Sequence, residues 1–262
     1  MDAKIRCVKV CLTLCAGVFT VLTVRAQTVM EPAVILREGT WDGGVGTFQI
    51  PEAFGKIKPD VWPVDGWYRL TIRPDGIESV PVIEPKRQRP SFLNSIITQI
   101  ERGEVASEPQ QSLTPPNTSE PPNLIYLRAP GARLVPGLAA TYRFKNGTAT
   151  LRPKLDYRYE LTMGGFPFAF TVQNGLRSKS GAAYSEGAQY TIEYDGKKYE
   201  YSLGEFGWDS TITAIADLDG DGKPDFIISV GGNNSGYEAI LLSSMAKPGR
   251  NAATASLRSM GC

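Results

Sequence analysis

Near its C-terminal end the chain reads DLDGDGKPD, residues 217–225. Asp217, Asp219, Asp221 and Asp225 set four carboxylates at alternate positions and one wider step, with Gly220 and Gly222 between them. A hard cation such as calcium takes about six to eight oxygens, from carboxylates and main-chain carbonyls. Counted from Asp217, the aspartates fall at positions 1, 3, 5 and 9. Position 7 is Lys223, which can offer its carbonyl while its ammonium points away. The glycines permit backbone angles that a β-carbon forbids, so the chain can curl round an ion. Pro224 lacks an N–H and biases Lys223 towards an extended conformation. Carboxylates this close repel one another unless a cation lies among them. The spacing therefore favours a calcium loop over an ion-free acidic turn.

An EF-hand loop shares the first half of this pattern but needs a glutamate at position 12. That position is Ile228, and the residues after the loop are strand-like. TITAIA (211–216) precedes the loop and FIISV (226–230) follows it, so the expected arrangement is strand–metal–strand, with YEAILLSS (237–244) as the next strand.

Other chemistries are bounded by composition. The sequence contains no histidine. That removes Ser-His-Asp and Cys-His catalysis, histidine-ligated zinc and proximal-histidine haem. Ser244-Met245-Ala246-Lys247 matches a serine–lysine acylation motif by letters, but the companion Ser-Asp-Asn and Lys-Thr-Gly motifs are missing. A glycan hydrolase would need two carboxylates across a cleft. Glu160, Glu186, Glu193, Glu200, Glu205 and Asp209 are available, and no spacing singles out a pair. No catalytic residue is assigned. Formal net charge is +1, which argues against nucleic acid or an anionic membrane surface as the main partner.

The elements that must carry the loop read as mainly β: an antiparallel sandwich, or partial propeller-like sheets, with one amphipathic helix. Glycine (27) and proline (19) are frequent, as short strands and many turns require. In GWYRLTIR (66–73), Trp67, Arg69, Thr71 and Arg73 alternate with Tyr68, Leu70 and Ile72. Pro74-Asp75-Gly76 is turn chemistry, and IESVPVIE (77–84) is the partner strand, placed at an edge or bulge by Pro81. SFLNSIITQIER (91–102) carries a helical apolar stripe, with Pro90 and Ser91 before it and Gly103 after it.

Residues 104–122 hold five prolines and little to bury, which reads as an exposed linker. The expected division is an N-terminal β-rich unit with the helix at 27–103, the linker at 104–122, and a C-terminal β domain at 123–262. Within that domain NLIYLR, ATYRF, DYRYELTM and PFAFTVQ are strand candidates. QYTIEYDGKKYEYSLG is a hairpin, because Asp195-Gly196 between alternating runs signals a type I′ turn. Its tyrosine face suits either sugar binding or cross-strand pairing on a half-buried sheet.

Residues 1–26 read as a signal peptide: Lys4, Arg6 and Lys9, then an apolar run over 10–24, then Val24-Arg25-Ala26. That apolar run is shorter than the ~20 residues a membrane span needs. Cleavage would leave a periplasmic or secreted protein with no stable membrane span. Cys7, Cys11 and Cys15 would depart with the signal, and Cys262 would be the remaining thiol.

The loop also resembles a known family. DLDGDGKPD between strands is similar to the FG-GAP and VCBS calcium-binding repeats of integrin-like β-propellers and of many exported bacterial proteins. The resemblance covers residues 206–244 in a single copy. It implies calcium held by Asp217, Asp219, Asp221 and Asp225, with Lys223 through its carbonyl. Phe206-Gly207 lies further upstream than the family's Phe-Gly, and Val230-Gly231-Gly232-Asn233 replaces its Gly-Ala-Pro. The ending AILLSSMAKPGR resembles a group of exported bacterial proteins that carry one such loop, a resemblance that implies no activity. Two functions follow. One is an exported β-protein with a structural calcium, acting as a binding module for a protein or glycan of the cell envelope. The alternative is a carboxylate-dependent glycan hydrolase.

Overall fold

The structure, a computed structural model, describes residues 33–40, 46–49, 61–73, 75–81, 93, 112–113, 124–174, 187–204, 209–231 and 235–260. They form three sheets. A seven-stranded sheet contains β1 (Val34–Thr40), β2 (Gly46–Gln49), β3 (Trp67–Arg73), β4 (Gly76–Pro81), β5 (Ser112–Leu113), β6 (Leu124–Arg128) and β7 (Gly137–Ala139), in the order β5-β2-β1-β6-β3-β4-β7. A five-stranded sheet combines β8 (Tyr159–Met163), β9 (Phe166–Asn174), β10 (Ala188–Tyr194) and β11 (Lys197–Leu203) with the later β15 (Gly249–Asn251). Between these in sequence, β12 (Asp209–Ala216), β13 (Asp225–Gly231) and β14 (Ser235–Leu241) join β16 (Ala255–Met260) in a four-stranded antiparallel sheet, ordered β12-β13-β14-β16. The mainly β class expected from the sequence is the class observed.

The four-stranded sheet is the middle layer of a stack. On one side Phe226, Ile228, Val230, Ala239 and Leu241 pack with Phe170, Tyr190, Tyr201 and Leu203 of the five-stranded sheet. On the other side Ile227, Ile240, Ala255 and Leu257 pack with Ile35, Leu70, Ile77, Ile125 and Leu127 of the seven-stranded sheet. A strand covered on both faces has no need of a polar face. That is why Phe226, Ile227, Ile228 and Val230 are all apolar and buried, with Ser229 the one polar residue among them. β12 meets the same demand with a register shift between Ile212 and Ala214. Ile212 and Ile215 face the five-stranded sheet, whereas Ala214 and Ala216 face the seven-stranded one. One extra residue at a β-bulge switches which neighbours face each way.

Sequence position and layer do not coincide. β6 pairs with β1 on one side and β3 on the other, so the seven-stranded sheet joins chain from both sides of 104–122. Of that proline-rich segment only Ser112 and Leu113 are described, and they form β5 against β2. Of the expected helix over 91–102, only Leu93 lies among the described residues, and it is helical and fully buried. The signal peptide (1–26) lies outside them.

Both expected hairpins form. β3 and β4 pair from Arg73↔Gly76 to Tyr68↔Pro81, which puts Pro81 at a strand end. β10 and β11 pair from Tyr194↔Lys197, and Asp195 and Gly196 both have positive φ (51° and 68°), as a type I′ turn requires. The tyrosine face of this hairpin points inward: Tyr190 pairs with Tyr201 and both are buried. It supplies core, not a surface.

ATYRF differs from expectation. Only an isolated bridge at Thr141 forms there, after the short β7. The chain from Val135 to Leu151 instead runs along β12, with Tyr142 N–H donating to Ile215 O (2.8 Å) and Leu151 exchanging bonds with Ile212. It covers the edge of the middle sheet, which would otherwise present unpaired N–H and C=O groups.

Candidate metal centre

The acidic loop links the ends of β12 and β13, both held in the middle layer. Its first residues are pinned by the strap that covers β12: Asp217 N–H donates to Ala140 O (3.0 Å) and Val135 N–H to Leu218 O (2.9 Å). The Leu218 side chain is fully buried in the core between the middle and seven-stranded sheets. Gly220 and Gly222 both have positive φ (74° and 79°), which lets the loop reverse twice within three residues. The strands converge at Asp225, which pairs with Ala216 across the sheet.

This backbone brings three of the expected side chains together. One carboxylate oxygen from each of Asp217, Asp219 and Asp225 lies within 4.8 Å of the others. Asp225 is wholly buried and accepts Leu218 N–H and Ser243 N–H, each at 2.7 Å. Asp219 accepts the Ser244 hydroxyl and, more weakly, Asp221 N–H (3.3 Å). Asp217 accepts Gly222 N–H at 3.2 Å through Oδ2, while its Oδ1 is buried and has no hydrogen-bond partner. Burial, then the charge of Asp219, pushes the Asp225 carboxyl well above its ordinary range. Burial, helped by the charge of Asp221, raises Asp219 as well.

Asp221 is placed differently. Asp221 is not one of the three clustered carboxylates; its oxygens accept the Ser243 hydroxyl at 3.0 and 2.9 Å, and Oδ1 also accepts Lys223 N–H at 2.8 Å. The Lys223 ammonium points away from the cluster, 3.3 Å from Asp195 Oδ2 and 5.4 Å from the centre of the Tyr194 ring. It ties the loop to the β10–β11 turn of the five-stranded sheet.

Ser243 and Ser244 are the residues that sequence reasoning missed. They begin a 3-10 turn, Ser243–Met245, directly after β14, and between them they contact Asp219, Asp221 and Asp225. The sequence singles out Ser244 only for its place in the Ser-Met-Ala-Lys match, and the two serines that end the apolar run AILL carry no signal of metal-site contacts.

The donor set fits a metal. It consists of oxygens alone, one of them buried and unpartnered, and three carboxylates in one place could hold a cation. Such a set suits a hard cation and does not by itself select calcium over magnesium.

The candidate hydrolase carboxylates are scattered, with one exception. Asp209 starts β12, with Oδ2 3.6 Å from Arg152. Glu200 is exposed on β11. Glu186 and Glu205 lie outside the described residues. Glu160 and Glu193 flank Ala169 on adjacent strands, bridged by Arg158, whose Nη1 lies 2.7 Å from Glu193 and whose Nε lies 3.2 Å from Glu160. The hydrogen bond from Arg158 holds the Glu193 carboxyl below its ordinary range. Among the described residues no helix is long and apolar enough to cross a membrane. Compared with known proteins, the chain matches no family model, no curated protein and no solved structure.

Proposed function

We propose that the protein is an exported β-protein, periplasmic or secreted, whose acidic loop holds a structural calcium. It works as a binding module for a protein or glycan of the cell envelope and not as a catalyst. The observation that carries the metal is the buried, unpartnered Oδ1 of Asp217 beside Asp219 and Asp225. An oxygen in that position lacks a partner that a cation would supply. The resemblance of the loop to FG-GAP and VCBS repeats supports calcium in particular. A structural role is supported by the loop's contacts: the strap over β12, the turn after β14, and the β10–β11 turn all attach to it. Glu193 does not suit the acid's part in a hydrolase, because that part needs a raised pKa and Glu193 is shifted the other way. The export signal at 1–26 belongs to the same reading.

Thermal melts with and without calcium test it. Extracellular calcium modules bind at about 10⁻⁴–10⁻³ M. Millimolar calcium then adds roughly 0.4–1.4 kcal/mol to the folded state. Tm should rise modestly with calcium and fall with chelator, and Asp219→Ala should abolish the response. A wild-type melt indifferent to millimolar calcium, with no heat of binding by calorimetry, would refute the metal.

A further inference from the structure

An open cleft of about 540 Å³ lies on the face of the five-stranded sheet that points away from the middle layer. It is lined by Arg158 and Glu160 on one side and by Glu193 and the turn reaching Lys198 on the other. Ala169 is the register partner of both Glu160 and Glu193, so a methyl group separates the two carboxylates along the floor. Arg158 bridges them, and Lys198 Nζ approaches Glu193 at 3.7 Å.

We propose that this cleft binds a neutral polyhydroxylated ligand, a short stretch of glycan. The size falls within the range of about 300–1,000 Å³ usual for small-molecule sites. Glu193, the less exposed of the two carboxylates, is oriented before any ligand arrives because both Arg158 and Lys198 approach it, whereas the more exposed Glu160 is contacted by Arg158 alone. Their charges are also compensated internally, so a charged ligand gains little there. What remains is hydrogen-bonding capacity. A carboxylate has about four lone-pair sites and a guanidinium five N–H donors, and the Arg158 bridge engages only part of either. Pure acceptors therefore alternate with pure donors across the floor, one strand spacing apart. A hydroxyl both donates and accepts, so a run of vicinal hydroxyls matches that alternation. Bonds to ionised groups are about twice as strong as neutral ones. The lowered acidity range of Glu193 keeps it an acceptor at neutral pH.

The inference rests on the reading of the protein as a binding module and is independent of its metal. The test is titration of the full chain with cellotriose, maltotriose and triacetylchitotriose, followed by calorimetry and amide chemical shifts. Triglycine serves as a zwitterionic comparison. At least one trisaccharide should saturate with millimolar affinity, with shifts centred on residues 158–169 and 193–198. Glu193→Gln and Arg158→Gln should each weaken binding about tenfold or more, the loss expected for a charge-assisted hydrogen bond, while retaining a cooperative melt. Saturation by triglycine but by no sugar overturns the proposal. So does failure of all three sugars to saturate by about 20 mM, since affinity weaker than that is not specific recognition. Sugar binding that both variants leave unchanged places the site elsewhere and also overturns it. Sugar failure with an intact calcium response refutes the cleft alone; sugar binding without a calcium response refutes the metal alone.

Discussion

Ser243 donates its main-chain N–H to Oδ1 of Asp225 at 2.7 Å, joining the turn after β14 to the last residue of the acidic loop. Leu218 N–H takes the other oxygen at the same distance. Asp225 is wholly buried, so it serves as a hub as well as a member of the three-carboxylate cluster. Asp225→Ala strands two buried donors, at about 1–3 kcal/mol each. Denaturant unfolding in chelator should show a loss of roughly 2–5 kcal/mol, and Asp225→Asn should recover only part, because an amide offers one acceptor oxygen. Equal stability of Asp225→Ala and wild type in chelator would mean the hub role is misassigned.

Asp217 and Asp221 are equivalent by sequence and unequal in the fold. Asp217 faces Asp219 and Asp225, whereas Asp221 holds the Ser243 hydroxyl. Calcium affinity by calorimetry should therefore fall further in Asp217→Asn than in Asp221→Asn. In chelator, Asp221→Asn should still change the melt, through its contact with Ser243. The reverse order of affinities would show that the loop rearranges around the ion.

Gly220 and Gly222 share a left-handed backbone but not an environment. A β-carbon on Gly220 would lie 2.6 Å from Val135 Cγ2, whereas one on Gly222 meets nothing within 4 Å. Gly222→Ala should cost about 1–2 kcal/mol for conformation alone. Gly220→Ala should cost more, and Val135→Ala should restore part of the difference. A double-mutant cycle in denaturant measures this directly.

The Glu193–Arg158 pair sets a pH dependence. The folded carboxyl titrates below its ordinary range because Arg158 bonds to the charged form. The unfolded chain then binds more protons near pH 4, so stability from this group is complete above the ordinary glutamate range and is lost as pH falls through the lower folded value. Wild type should melt slightly higher than Glu193→Gln at pH 7, and the gap should close as pH falls through the lowered folded value. A gap that widens on acidification would reverse the sign and remove the pair as its cause.

Ser79 offers a different test. It is wholly buried on β4 and its hydroxyl has no hydrogen-bond partner. Removing an unsatisfied buried group relieves a desolvation cost of about 1–3 kcal/mol, set against a small cavity. Ser79→Ala should be neutral or stabilising by thermal melt. A loss above about 1 kcal/mol would reveal a partner.

Local chemistry was legible because it acts over a few residues. Asp195-Gly196 specified its turn through the positive φ that both residues adopt. Gly220 and Gly222 between aspartates specified a loop that curls, and the apolar segments TITAIA and FIISV on either side of it specified strands. The absence of histidine set limits that no tertiary arrangement can lift. What the fold decided depends on contacts between distant segments. Four aspartates of one loop were sorted into three that converge and a fourth, Asp221, that accepts the Ser243 hydroxyl, because only packing of β14 beside β13 brings that serine to the loop. Glu160 and Glu193, thirty-three residues apart, became neighbours only through their common partner Ala169 on β9. Register across a sheet is a relation between strands, set by which faces must be buried, and no single strand carries it.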